Sequence, residues 1–196
     1  MTTRIGVFVF DGAEELDFVG PWEVLTMWAK SFPDDDVEVF TFAQSPGPVT
    51  CAKGLRVLPD HTLDTAPSMD VLVYPGGEGN RAHVGDENIK GWLNKLAADG
   101  TLMTSVCTGS LVYAWAGLLD GRPAVTHWAS LELLERLGSN VQVRKDERFV
   151  DDGNVITAAG VSAGIDMALH LVQRLASVER AREVKKFIQY DPQPPV

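Results

Sequence analysis

The sequence predicts a doubly wound α/β fold, a mostly parallel sheet with helices on both faces. Two observations point there. Short runs at residues 4–10, 70–74 and 102–106 are apolar on both alternating faces, as parallel strands covered on each side must be. Segments of helical periodicity separate them, and the two kinds of segment alternate along a chain of 196 residues. That length suits one α/β domain with a sizeable core, so residues 1–196 are read as a single domain with 189–196 as an extended tail.

Taken in order, Arg4–Phe10 is the first buried strand and Asp11–Asp17 a turn crowded with carboxylates. Phe18 precedes Gly20-Pro21 and a helical face of Val24, Leu25 and Trp28, with Pro21 expected in the first turn, where its missing N–H costs nothing. After the acidic stretch Pro33–Asp36, Val37–Phe42 alternates as a second strand. Residues 46–60 scatter Pro and Gly among β-branched pieces, which suits an edge hairpin. Asp70–Tyr74 is another buried strand, followed by Pro75-Gly76-Gly77-Glu78-Gly79. Glu87–Ala98 places Ile89, Trp92, Leu93 and Leu96 on one helix face, with Gly100 just beyond. Val125–Trp128 reads as a short strand and turn, and 129–137 as an amphipathic helix stopped by Gly138. Asp152-Gly153 between apolar flanks marks a hairpin over 149–157. Val161–Leu175 is a long apolar helix in which Gly164 allows close packing, and Val178–Ile188 is a basic-faced helix before a proline-rich, non-helical end.

Composition narrows the function classes. Apolar content of 45% and charged content of 22% are ordinary for a globular protein. A net charge of −10 without a Lys/Arg run disfavours nucleic acid as a partner. No apolar run reaches membrane-spanning length, and the first residues lead straight into a strand, so no membrane association or signal peptide is expected. Two cysteines, Cys51 and Cys107, form no disulfide framework, which fits a reducing cytoplasm. The four histidines lack ligand spacing, and no metal is expected.

Chemistry concentrates at 101–111. The apolar run Leu102–Val106 stops at Cys107, and Thr108-Gly109-Ser110 opens a helical pattern. Ser105-x-Cys107-x-Gly109 has the small-x-nucleophile-x-small layout of a nucleophile elbow, in which small flanking residues let strand and helix approach closely. A thiol there faces the free N–H groups of a helix start, which favour thiolate; a buried structural cysteine is the alternative. Ligands of open α/β sheets bind at the carboxyl ends of the strands. That rule brings Cys107, Gly76-Gly77 and Asp17, in the loop after the first strand, to one edge. Gly76 and Gly77 are candidates for backbone oxyanion donors or for a tight turn. Asp17 is a candidate acid/base whose pKa burial would raise, or a helix cap, with Glu14 and Glu15 competing for the role. Thr108 offers an oxyanion N–H and a hydroxyl for substrate or water, or ordinary capping. His127 is either the base of a Cys–His pair or a structural histidine.

The runs Thr104-Ser105-Val106-Cys107-Thr108-Gly109-Ser110-Leu111, Ala116-Gly117-Leu118-Leu119-Asp120-Gly121-Arg122 and Val125-Thr126-His127-Trp128 resemble the ThiJ/PfpI superfamily, which is class I glutamine amidotransferase-like. Leu16-Asp17-Phe18-Val19-Gly20-Pro21, Pro75-Gly76-Gly77 and Val161-Ser162-Ala163-Gly164-Ile165-Asp166 are similar to it as well, so the likeness spans almost the whole chain. Within that superfamily the chain looks most like the isonitrile hydratases. The resemblance implies a flavodoxin-like homodimer without cofactor, its site close to the dimer interface. It also implies Cys107 as nucleophile, Asp17 as acid/base partner and Thr108 as a neighbouring site residue, acting on a small-molecule substrate. Protease-type relatives carry His directly after the cysteine, where this chain has Thr108. The chain departs from similar hydratases at Glu78, where they have a small hydroxyl residue, and it stops at Val196, where relatives often run on. Two other classes compete: another cysteine-dependent superfamily enzyme acting on amides or glyoxals, and a ligand or redox sensor. The AraC-type sensor version needs a basic helix-turn-helix module, for which no room is expected after residue 190.

Overall fold

A computed structural model describes residues 1–193. The strands and helices follow in the order β1 (Thr3–Phe8), α1 (Glu15–Ser31), β2 (Val37–Ala43), β3 (Val49–Thr50), β4 (Arg56–Val57), β5 (His61–Thr62), β6 (Val71–Tyr74), α2 (Asn80–His83), α3 (Glu87–Ala98), β7 (Leu102–Val106), α4 (Gly109–Trp115), β8 (Pro123–Ala124), α5 (Leu131–Leu137), β9 (Gln142–Val143), β10 (Phe149–Asp151), β11 (Val155–Ala158), α6 (Ala163–Leu175) and α7 (Val178–Phe187). The fold is flavodoxin-like α/β: one seven-stranded sheet of order β10-β11-β7-β6-β1-β2-β5, parallel except for the β10–β11 hairpin. The central strands β1, β6 and β7 bury nearly every residue, which is why their sequences show apolar runs rather than alternation.

Helices pack on both faces. On one, α1 and α6 cross closely because glycines remove side chains at the contact. A Cβ on Gly164 would lie 3.2 Å from the Pro21 ring and from Val106, and one on Gly20 would lie 3.0 Å from Ile165. On the other, Phe8, Phe42, Tyr74 and Trp92 interlock under α3, with ring centroids 5.2–5.9 Å apart for the contacting pairs. Arg180 of α7 clasps the far end of α1. Its guanidinium lies 3.6 Å from the Phe32 ring and bonds Asp35, which also accepts from Trp28 Nε1 at 2.6 Å.

Four expectations are corrected. α1 begins at Glu15, so Asp17 lies in its first turn rather than in a loop, and Pro21 sits inside the helix. Pro21 gives up one intrahelical bond there, and its ring packs on Gly164. The strand expected over 125–128 is displaced to Pro123–Ala124, paired with Gln142–Val143. Val125 N–H instead donates to Thr157 Oγ1 and the Thr126 hydroxyl to the Cys107 carbonyl, so neither joins a ladder. α6 starts at Ala163 because Val161 has a left-handed backbone, φ 48°. The two-residue strand β5 and the single turn α2 were too short to leave a periodic trace. Residues 190–193 are non-helical as expected, and the remainder of that tail lies outside the described residues.

Candidate active site

β7 ends at Val106, and the chain turns into α4 through Cys107, whose φ of 57° is left-handed. A non-glycine residue held there costs energy unless its surroundings lock it. Four hydrogen bonds do so. Cys107 N–H donates to the carbonyls of Ala158 and Ala159 at 3.1 and 3.0 Å, and the Cys107 carbonyl accepts from Thr126 and Ser110 at 2.9 and 3.2 Å. Glycine is required two residues on, because a Cβ at Gly109 would stand 2.6 Å from the Tyr74 carbonyl. The side chain of Cys107 reaches a cavity of about 730 Å³ at the carboxyl ends of the strands.

Burial opposes ionisation of the sulfur. Burial pushes the Cys107 thiol up to about 12, and the Asp17 carboxylate beside it adds to the rise, while the N–H groups of Thr108 and Val161 pull the other way. The pull of the helix start is outweighed by burial: α4 has only seven residues, and Cys107 is 6% exposed.

Asp17 is fully buried, and burial raises its carboxyl to about 7. The nearby Glu14 charge also pushes it up, whereas the Gly76 N–H, donating to it, and the neighbouring Cys107 thiol pull it down. Oδ2 accepts from Gly76 N–H at 2.8 Å; Oδ1 has no nitrogen or oxygen partner among the described residues. Asp17 caps nothing: the N-cap position belongs to Glu14, whose side chain makes no capping bond and instead pairs with Lys53. Glu15 also pairs with Lys53, at 3.6 Å, so neither competitor takes the buried position.

The glycine pair does different work from an open oxyanion hole. Gly76 N–H is committed to Asp17, and Gly77 N–H donates to Thr108 Oγ1 at 3.0 Å. A Cβ at Gly76 would meet Thr108 N and Oγ1 at 2.6 Å, and Gly77 has φ +119°, so both positions exclude side chains. Thr108 borders the cavity, and a second donor reaches its hydroxyl oxygen, Asn80 Nδ2 at 3.4 Å. His127 also borders the cavity, with Nδ1 accepting from Ala129 N–H at 3.3 Å, so its ring proton is on Nε2. It makes no hydrogen bond with Cys107. Glu78 is exposed and lines the cavity, as does Arg81. Leu111, Leu133, Leu137 and Val84 supply apolar wall. Among the described residues no three His, Cys, Asp or Glu side chains cluster as metal ligands would. Among the described residues no helix is long and apolar enough to cross a membrane.

The model of the DJ-1/PfpI family matches residues 3–174. The chain belongs to the DJ-1/PfpI family. Over 195 residues it is 40% identical to the isonitrile hydratase of Pseudomonas putida, covering all of this chain and 82% of that protein. It is 33% identical to the HTH-type transcriptional regulator CdhR of Pseudomonas aeruginosa, covering 95% of this chain and 54% of the regulator. Among solved structures, a ThiJ/PfpI family protein from Pseudomonas syringae superposes with a TM-score of 0.87 at 32% identity, over all of this chain and 78% of the other. In this DJ-1/PfpI chain, sequence reasoning anticipated that Asp17, Gly76, Gly77, Cys107 and Thr108 would converge. It missed Asn80, whose only trace is its place five residues after Pro75, and Val161, whose backbone conformation leaves none.

Proposed function

We propose that the protein is an isonitrile hydratase-like enzyme that adds water to an isonitrile and releases the N-substituted formamide. The observation that carries this reading is a fully buried Asp17 carboxyl, held by the Gly76 N–H at 2.8 Å, next to a Cys107 that borders the cavity; burial raises the carboxyl to about 7 and the thiol to about 12. At neutral pH and above, such a pair retains the single proton that hydration must deliver to carbon. The 40% identity to an isonitrile hydratase supports the same reading. Asp17 takes the thiol proton as Cys107 sulfur bonds the terminal isonitrile carbon, and it passes that proton to the carbon. The product is a thioimidate, R–N=CH–S–Cys107. Water then adds to the same carbon, with one proton taken by Asp17 and the nitrogen protonated. The C–S bond breaks with its electron pair on sulfur, the thiol regains its proton from Asp17, and R–NH–CHO leaves. One difficult hydration is divided into two easier steps.

In this reading the left-handed Cys107 corner is a nucleophile elbow, Thr108 contacts substrate or water, and no cofactor or metal takes part. His127 helps shape the pocket. The enzyme is one domain, works in the cytoplasm, needs neither nucleic acid nor membrane, and is a homodimer; Leu16 and Val19, exposed on α1 near the site, supply apolar surface for that contact. Sedimentation at equilibrium tests the dimer. The activity test is conversion of cyclohexyl isocyanide to its formamide, followed by proton NMR. Wild-type turnover with loss in Cys107→Ala supports the proposal. Consumption of methylglyoxal instead moves it to another cysteine-dependent enzyme of the family. The 33% identity to a transcriptional regulator favours, as second reading, a ligand sensor, which would bind without Cys107-dependent turnover.

A further inference from the structure

We infer that Asn80 is a positioning residue that fixes the Thr108 hydroxyl as a hydrogen-bond donor toward the substrate nitrogen. The inference rests on the hydration reading and adds a residue to it. Asn80 is 3% exposed on α2 and borders the same cavity as Cys107 and Thr108. Its amide orientation is set by the Pro75 carbonyl, which can only accept, so the group facing it at 3.3 Å is Nδ2. Nδ2 also reaches Thr108 Oγ1 at 3.4 Å, while Gly77 N–H reaches that oxygen at 3.0 Å. Two N–H groups therefore occupy both lone pairs of the Thr108 hydroxyl. Its own proton has no acceptor among the described residues and is left for a ligand beside Cys107.

The other end of Asn80 strengthens the case. Oδ1 is buried without a partner, a standing cost that an apolar side chain of the same shape would not carry. Stability alone does not account for an amide here, whereas the Nδ2 contacts do. The chemistry supplies the acceptor. In an isonitrile the nitrogen lone pair is engaged in the triple bond; as sulfur and a proton add to carbon, that pair localises on the thioimidate nitrogen. A donor preset toward it gains strength only as the reaction proceeds, so it acts on kcat rather than on binding.

A double-mutant cycle read with cyclohexyl isocyanide tests this, using Asn80→Leu, Asn80→Ala, Thr108→Val and the combinations, each with a melting curve to certify folding. Each Asn80 variant is expected to lower kcat about tenfold to a hundredfold with KM changed less than about threefold. In the Thr108→Val background, losing Asn80 is expected to cost nothing further, because the hydroxyl it orients is gone. Thr108→Ser, which keeps the hydroxyl, is expected to retain the dependence on Asn80. Losses that multiply across the cycle, or Asn80 variants at the wild-type rate, overturn the inference while leaving hydration standing. Should the wild-type protein fail to hydrate isonitriles with its thiol intact, the hydration reading falls and takes this inference with it.

Discussion

Asp17 Oδ2 and the backbone N–H of Gly76 meet at 2.8 Å across 59 residues of sequence, tying the first turn of α1 to the turn after β6. The bond holds one carboxyl oxygen of a fully buried side chain and leaves the other without a nitrogen or oxygen partner beside the Cys107 thiol.

That geometry makes Asp17 the principal source of pH dependence in the proposed reaction. Its folded pKa of about 7 lies above the ordinary 3.8, so the folded protein keeps a proton that the unfolded chain has released. Stability is therefore full below about pH 4, declines as pH rises through 7, and is flat beyond; the total change is roughly 4 kcal/mol before relaxation reduces it. Asp17→Asn keeps the Gly76 bond through its amide oxygen and has no charge to bury. Urea unfolding between pH 5 and 8 should show wild type losing stability and the variant nearly level, with the variant the more stable at pH 8. Wild-type kcat/KM should rise through pH 7 as the pair drops from two protons to one, and the variant should lose activity and that limb together. Parallel stability curves would place the ionisation elsewhere.

Gly76→Ala tests the steric side of the same contact. The added methyl would stand 2.6 Å from Thr108 N and Oγ1 and 2.8 Å from Asp17 Oδ2, displacing both groups at once. Overpacking of this kind destabilises by about 1–3 kcal/mol, and displacement of reacting groups by about 1 Å costs about a hundredfold in rate. Denaturant titration and isonitrile turnover check the two figures. A variant that folds and works normally would show that the turn yields easily.

His127→Gln separates a Cys107–Asp17 pair from a Cys–His pair. With Nδ1 already accepting from Ala129, the other ring nitrogen, Nε2, is a donor rather than a base. The variant is expected to stay within about tenfold of wild type, below the usual contribution of a general base, and to keep the rise through pH 7. Disappearance of that rise in His127→Gln would transfer the proton to the histidine.

What the sequence could disclose followed the range of the interaction. The Cys107 corner was legible because its cause is local: an apolar run, a thiol and Gly109 within eight residues report a strand turning into a helix. Asp17 was placed at the right edge of the sheet but in the wrong element, because Pro21 reads as a helix start and the packing against Gly164 that admits it inside the helix comes from 143 residues further on. The rise in the Cys107 thiol pKa left no trace since it depends on burial, which neighbouring residues do not report. Asn80 left no signal because its value lies in a bond to Thr108, 28 residues distant.

Val161 carries the last prediction. A β-branched residue with φ 48° is an outlier, and it sits where its N–H supports the Cys107 sulfur and its side chain borders the cavity. Left-handed backbone costs an L-residue roughly 1–2 kcal/mol, while glycine loses about 0.5–1 kcal/mol more entropy on ordering. Relief should exceed that loss, so Val161→Gly is expected to raise stability by about 0.5–1 kcal/mol. Turnover should fall in the same variant, because the loosened backbone after Gly160 no longer aims its N–H at sulfur and the cavity loses an apolar wall. Calorimetry and isonitrile turnover on one preparation decide it. A more stable, slower enzyme means that strain at Val161 is retained for the site, whereas a less stable one means that the valine side chain holds the loop through its packing and the conformation costs little.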